Sequence, residues 1–129
     1  MTSDVITISL DKYGSEGEIV LADPGYKKRK IADAKSMGMT VKYVDGEQQI
    51  DMERGYFAVM EKISYYIESA PIKIRGYETL LDLLEMVDNN RRGAGDELMK
   101  ELVTEVEKIE KGEASPFVKS PEAVTENSE

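Results

Sequence analysis

The chain has no cysteine, no histidine and no tryptophan. Without cysteine there is no disulfide, no thiol nucleophile and no thiolate metal site. Such a composition suits a reducing compartment. Without histidine, the commonest general base and the commonest neutral metal ligand are both missing. A Ser-His-Asp or Cys-His nucleophile system is therefore excluded. An enzyme made from this chain would work with carboxylates, Lys, Arg or Tyr alone. No sequence feature gathers these into a site, so the chain reads as a non-enzyme with no cofactor and no metal. No uninterrupted apolar run approaches the ~18 residues that can span a bilayer. Asp4 comes early and polar residues alternate with apolar ones, unlike a signal peptide. No membrane partner is expected.

What the chain does have is enough apolar content for one modest core. Of its 129 residues, 40% are hydrophobic and 33% charged, which places it among globular chains. The formal net charge of −9 is uneven. Residues 1–75 hold 12 acids and 11 bases, whereas residues 76–129 hold 14 acids and 6 bases. An acidic second half repels phosphate backbones, so nucleic-acid binding through it is disfavoured. It can instead keep a complex soluble or steer a basic protein partner.

The first part reads as short strands around one basic helix. Residues 5–10 alternate, with Ile6, Ile8 and Leu10 against Thr7 and Ser9, the period of a half-buried strand. A glycine-containing turn leads to a return strand over residues 18–21. Asp23-Pro24-Gly25 then starts a helix, with Asp23 as cap and Pro24 at the first helical position, running to about Met37 before Gly38. Its apolar side is thin: Tyr26, Ile31, Ala34 and Met37. Residues 39–44 and 47–52 form a second, edge-type hairpin around Asp45-Gly46, a pair that suits a type I′ turn.

The centre of the chain is the stretch 54–87. Tyr56, Val59, Met60, Ile63 and Ile67 share one helix face, which ends at the Ser69-Ala70-Pro71 break because a residue before proline avoids helix. Ile72 and Ile74 suggest a brief extended piece. The next helix follows Gly76 and buries Tyr77, Leu80, Leu81, Leu84 and Val87. A polar loop over residues 89–95 precedes a last helix, about residues 97–111, with Asp96 as its cap and Gly112 as its stop. Residues 113–129 contain two prolines and four glutamates and read as a disordered acidic tail, apart from the apolar pair Phe117-Val118. The expected class is α+β, with short hairpins toward the N-terminus, three to four amphipathic helices, and one domain over residues 1–112.

Two surfaces are candidates for binding. Phe57, Tyr66, Leu83 and Met86 widen the two central helix faces beyond a single core stripe. Left exposed, they would form a partner surface, with Leu84 buried and Leu83 outside. Lys27, Lys28, Arg29 and Lys30 are the one basic cluster, a candidate anion or nucleic-acid contact. Only Tyr26 interleaves an aromatic with these charges, so a solvated face that pairs with the acidic half is the simpler reading. Arg91-Arg92-Gly93-Ala94-Gly95 lacks the lysine and spacing of a phosphate loop and reads as a linker. Glu97, Glu101 and Glu105 fall opposite the leucine stripe and read as a solvated face rather than a metal site.

Four stretches carry a family likeness. Glu18-Ile19-Val20-Leu21-Ala22-Asp23-Pro24, after the N-terminal strand, matches a polar hairpin followed by an acidic-proline helix start. Tyr65-Tyr66-Ile67-Glu68-Ser69-Ala70-Pro71-Ile72 matches a helix that ends before Ala-Pro. Residues 80–88 match a leucine-rich helix, and Gly112-Glu113-Ala114-Ser115-Pro116-Phe117 matches a tail after the last helix. In this order of parts, over most of residues 5–117, the chain resembles the small tail assembly chaperones of tailed phages and related proviruses. The basic helix and the second hairpin have no counterpart in the likeness. The resemblance implies a non-enzymatic role in virion assembly: holding an aggregation-prone tape measure or tail tube protein in the cytoplasm of the host cell, with self-association as a further implied property. The rival reading is a small regulatory nucleic-acid-binding protein that uses Lys27, Lys28, Arg29 and Lys30 together with Arg91 and Arg92.

Overall fold

The computed structural model describes residues 5–51 and 54–112. The expected acidic tail over residues 113–129 lies outside them. Within them the class is α+β, with four α-helices and two small antiparallel sheets. The first sheet has the order β1-β2-β5, from β1 (Val5–Ser9), β2 (Glu18–Ala22) and β5 (Ile67–Ser69). The second is the hairpin of β3 (Val41–Val44) and β4 (Glu47–Ile50). The helices are α1 (Tyr26–Met39), α2 (Gly55–Ser64), α3 (Gly76–Asn90) and α4 (Ala94–Glu110).

The two-residue alternation sets the first sheet. Ile8, Leu10, Ile19 and Leu21 point into the core, while Thr7 and Ser9 face water. β1 and β2 pair in register from Val5 opposite Ala22 to Ser9 opposite Glu18. A short 3₁₀ turn, Asp11–Tyr13, fills the connection and buries Tyr13. On the core side lies α4, whose Leu98, Met99, Leu102, Val106 and Ile109 are all buried. That spacing is one stripe of a 3.6-residue helix. α3 packs beside it with Leu80, Leu83, Leu84 and Val87, and α2 adds Met60 and Ile63.

Close approach between α3 and α4 depends on Gly95. A Cβ there would lie 2.9 Å from the Leu84 carbonyl oxygen and 3.1 Å from Asp88 Cβ. The Asp88 carboxylate accepts from the Gly93 amide at 2.9 Å and the Gly95 amide at 3.0 Å. It thus caps α4 from the preceding helix and sits where the helix dipole favours negative charge. Asp96, the expected cap, is instead a first-turn residue. Glu61 of α2 does the same service for α3, accepting from the Tyr77 amide at 3.0 Å.

The expected central helix is shorter than the pattern suggests. α2 stops at Ser64, and Ile67–Ser69 form a strand along β2 rather than a last helical turn. The free edge of β2 explains this: the Ala22 amide donates to the Tyr66 carbonyl, and Leu21 pairs with Ile67. Ile72 and Ile74 are half-buried but form no strand. α1 begins at Tyr26, one residue after its Gly25 cap, so Pro24 precedes the helix. Asp23 accepts from the Gly25 amide at 2.8 Å as a local turn. α1 also runs through Gly38 to Met39. The loop before α4 is correspondingly short, because α3 continues to Asn90.

The second hairpin has the expected turn, with Asp45 at φ 55 and Gly46 at φ 82, the positive values that a type I′ turn requires. Of its eight strand residues only Val41 is half-buried, and the others are exposed.

The proposed exposed strip of Phe57, Tyr66, Leu83 and Met86 does not exist as a surface. Tyr66 is 1% exposed and Leu83 is 0% exposed, and both belong to the core. Phe57 and Met86 are half-buried against it. The cause is the width of the α3 face, which touches α2 on one side and α4 on the other, so adjacent Leu83 and Leu84 are both enclosed. Leu83→Ala and Leu84→Ala should each cost about 2–5 kcal/mol in denaturant melts. A near-neutral Leu83→Ala would contradict this packing.

Candidate functional site

α2 and α4 leave an apolar groove between them. Tyr56, Val59, Met99 and Val103 line it, with Asp96, Lys100 and Thr104 along the α4 side, and it encloses about 600 Å³. Tyr56 and Val59 were expected to face inward, yet they are exposed. The face of α2 that turns inward is Ala58, Met60 and Ile63, with Phe57 half-buried and packed on Tyr77 at a ring-centroid distance of 5.3 Å. This rotation encloses Ala58, Met60 and Ile63 and leaves Tyr56 and Val59 outside. Partial burial and the charge of Asp96 push the Tyr56 phenol upward, so it stays neutral in the groove.

Sequence reasoning missed this groove because the apolar pattern of α2 fits two rotations. The signal that could have found it was the small size of Ala58 between larger neighbours. Its other wall, Met99 and Val103, lies on α4.

The basic cluster is split by the fold. Lys27, Lys28 and Lys30 are exposed on α1. Arg29 turns back, its Nε 3.7 Å from Asp23 Oδ1. The Arg29 guanidinium and the Lys30 ammonium both lie over the Tyr26 ring, at 5.9 and 5.2 Å. The apolar side expected to anchor α1 faces outward. Tyr26 is 69% exposed and Met37 68%, with Ile31 and Ala34 also exposed, while Ala32 is the residue α1 buries.

Two polar clusters lock the helices rather than form reaction centres. At the C-terminal end of α4, Glu110 Oε2 lies 2.6 Å from Lys62 Nζ and accepts from the Tyr66 hydroxyl at 3.3 Å. Lys62 also reaches Asp33 of α1 at 3.7 Å. Burial works against the Lys62 charge, but Glu110 and Asp33 outweigh it and raise its pKa. Burial and the Glu110 charge raise Tyr66 strongly, which removes it as a base or nucleophile at neutral pH.

At the other end, the 3₁₀ turn is tied down. The Tyr13 hydroxyl donates to Glu101 Oε1, and Lys12 Nζ lies 2.9 Å from Glu101 Oε2. Arg91 donates to the Lys12 carbonyl at 3.2 Å and to Glu97 Oε1 at 2.9 Å. Asn90 donates to Ser15 Oγ at 2.8 Å. Arg91 is thus a latch, not an anion receptor, and Glu101 is a hub rather than one of a solvated row. Among the described residues no group of three or more acidic side chains is placed to hold a metal ion. Among them also, no helix is long and apolar enough to cross a membrane.

Partial burial pushes Glu101 up, but hydrogen bonds from Tyr13 and Lys12 and the nearby cations outweigh it and hold the carboxyl below its ordinary 4.5. A depressed folded-state pKa stabilises the fold above the ordinary value, and the gain is lost as pH falls through the depressed one. Glu101→Gln should therefore cost about 1 kcal/mol at neutral pH, shrinking toward zero in strong acid. A cost that is the same at both pH values would contradict the assignment. Compared with known proteins, no family model, no curated protein and no solved structure matches this chain.

Proposed function

We propose that this chain is a non-enzymatic protein-interaction module that acts as a tail assembly chaperone, holding an apolar helix of a tape measure or tail tube protein. The observation that carries the reading is the α2–α4 groove. Its apolar lining of Tyr56, Val59, Met99 and Val103 lies between the two helices. Grooves of this kind accept one face of an amphipathic helix. The neutral Tyr56 phenol adds a polar tip at the rim. The acidic second half of the chain would keep the complex soluble and favour a client helix with basic flanks. The likeness to phage and provirus tail chaperones supplies the client class. This reading assigns the client contact to Tyr56 and Val59, which are exposed, rather than to Tyr66 and Leu83, which are enclosed in the core.

The test is binding of the purified full chain to purified tape measure and tail tube proteins. Tyr56→Ala combined with Val59→Asp should weaken binding at least tenfold. Thermal stability should change little, since both side chains are exposed. Undiminished binding by the double variant would refute the groove as the client site. Absence of client binding, together with steeply salt-dependent affinity for DNA or RNA that is lost when Lys27, Lys28 and Lys30 become Ala, would favour the nucleic-acid reading.

A further inference from the structure

The two edges of the β1-β2-β5 sheet differ in kind. β5 is only three residues long and carries Glu68, and Pro71 follows it closely. Its pairing with β2 also shifts register between Val20 and Leu21. These are devices by which natural sheets keep an edge from pairing further. β1 has none of them. Val5-Ile6-Thr7-Ile8-Ser9 holds no charged residue and no proline, and it pairs with β2 without a break from end to end.

The ladder also fixes which groups of β1 face outward. The Leu10 amide donates to the Gly17 carbonyl at 2.9 Å, in line with the register that sets Ser9 opposite Glu18 and Val5 opposite Ala22. In an antiparallel pair, alternate residues exchange both their bonds with the neighbouring strand. Ile8 and Ile6 therefore bond to β2 as Leu10 does, and the amides and carbonyls of Val5, Thr7 and Ser9 point away from it. The same alternation turns Ala22 of β2 to the far side, where its amide donates to the Tyr66 carbonyl. Among the described residues no strand lies beyond β1. Val5, Thr7 and Ser9 are all exposed.

We propose that a second copy of this chain pairs with β1 along this edge, antiparallel and about a twofold axis at Thr7. Charge selects the occupant. In a twofold contact the same patch meets itself, so a patch of one sign repels its copy. That disqualifies the exposed acids Glu78, Asp82 and Glu85 of α3 and the exposed bases Lys27, Lys28 and Lys30 of α1. β1 is neutral over its whole length. One register uses every outward group: Thr7 opposite the partner's Thr7, Val5 opposite the partner's Ser9, and Ser9 opposite the partner's Val5. Each of these pairs is of the kind that exchanges both its bonds. On the core side the half-buried Ile6 then meets the partner's Ile8, an aliphatic pair across the seam. A slip by one residue would set the outward groups against groups already bonded to β2.

The result is one continuous sheet in the order β5-β2-β1-β1-β2-β5. A single short strand pair buries less than the ~1,200–2,000 Å² of a standard interface, so the dimer forms at high protein concentration and dissociates on dilution. The contact uses neither wall of the α2–α4 groove and stands or falls independently of client binding.

Thr7 supplies the test, because this twofold brings that residue against its own copy. Sedimentation equilibrium of the full chain at low ionic strength should show a concentration-dependent dimer. Thr7→Lys and Thr7→Glu each set like charges directly opposite one another and should weaken the dimer by about fivefold or more. Thermal melts of both should stay close to that of the unmodified chain, since Thr7 is exposed. An equal mixture of the two variants should recover the dimer, because opposite charges then face each other. Three results would overturn the proposal. One is an unmodified chain that stays monomeric. Another is undiminished dimerisation of both variants, which would move the contact to a different surface. The third is a mixture that associates no better than either variant alone.

Discussion

The apolar stripe of α4 is the constraint on which the rest depends. Leu98, Leu102, Val106 and Ile109 give the β1-β2-β5 sheet, α2 and α3 a common surface to close on. A chain of this size has one modest core, so a single continuous stripe must serve every layer. The polar contacts follow from it. Asp88 and Gly95 fix where α4 begins, Glu101 ties it to the 3₁₀ turn, and Glu110 ties its end to α2 and α1.

Much of this was legible in the residues. The two hairpins, the Asp45-Gly46 turn, the leucine stripes of α3 and α4 and the Gly112 stop all rest on local periodicity or on single-residue backbone preferences. The failures share a different cause. Where α2 ends was decided by the open edge of β2, which claimed Ile67 for a strand; no local signal carries that preference. Tyr66 and Leu83 looked like surplus because one helix face was matched to one neighbour. Leu83 and Leu84 are both enclosed because α3 has two. Asp88 was not read as a cap because it acts across a loop, from one helix onto the next.

The candidate site was legible only in composition. The lack of histidine and cysteine points away from chemistry and toward surfaces, and the acidic second half toward a soluble complex. Which apolar residues remain outside depends on the rotation of α2 and α1, and helices with short or weak stripes do not announce it. In α2, Met60 and Ile63 won the interior and left Tyr56 and Val59 on the groove. In α1, Ala32 is buried while the larger Tyr26, Ile31 and Met37 are exposed.

The molecule therefore has a body closed around α4, onto which α1 packs through α2, and a β3–β4 hairpin that buries little. Six bases and three acids over residues 26–50 set that stretch apart from the acidic remainder. Native-state amide hydrogen exchange tests this division most directly. Amides of β3 and β4 should exchange through local openings well below the global stability, while those in the middle of α4 should exchange only with global unfolding. Equal protection of β3, β4 and α4 would contradict the account, because it would make the hairpin part of the core.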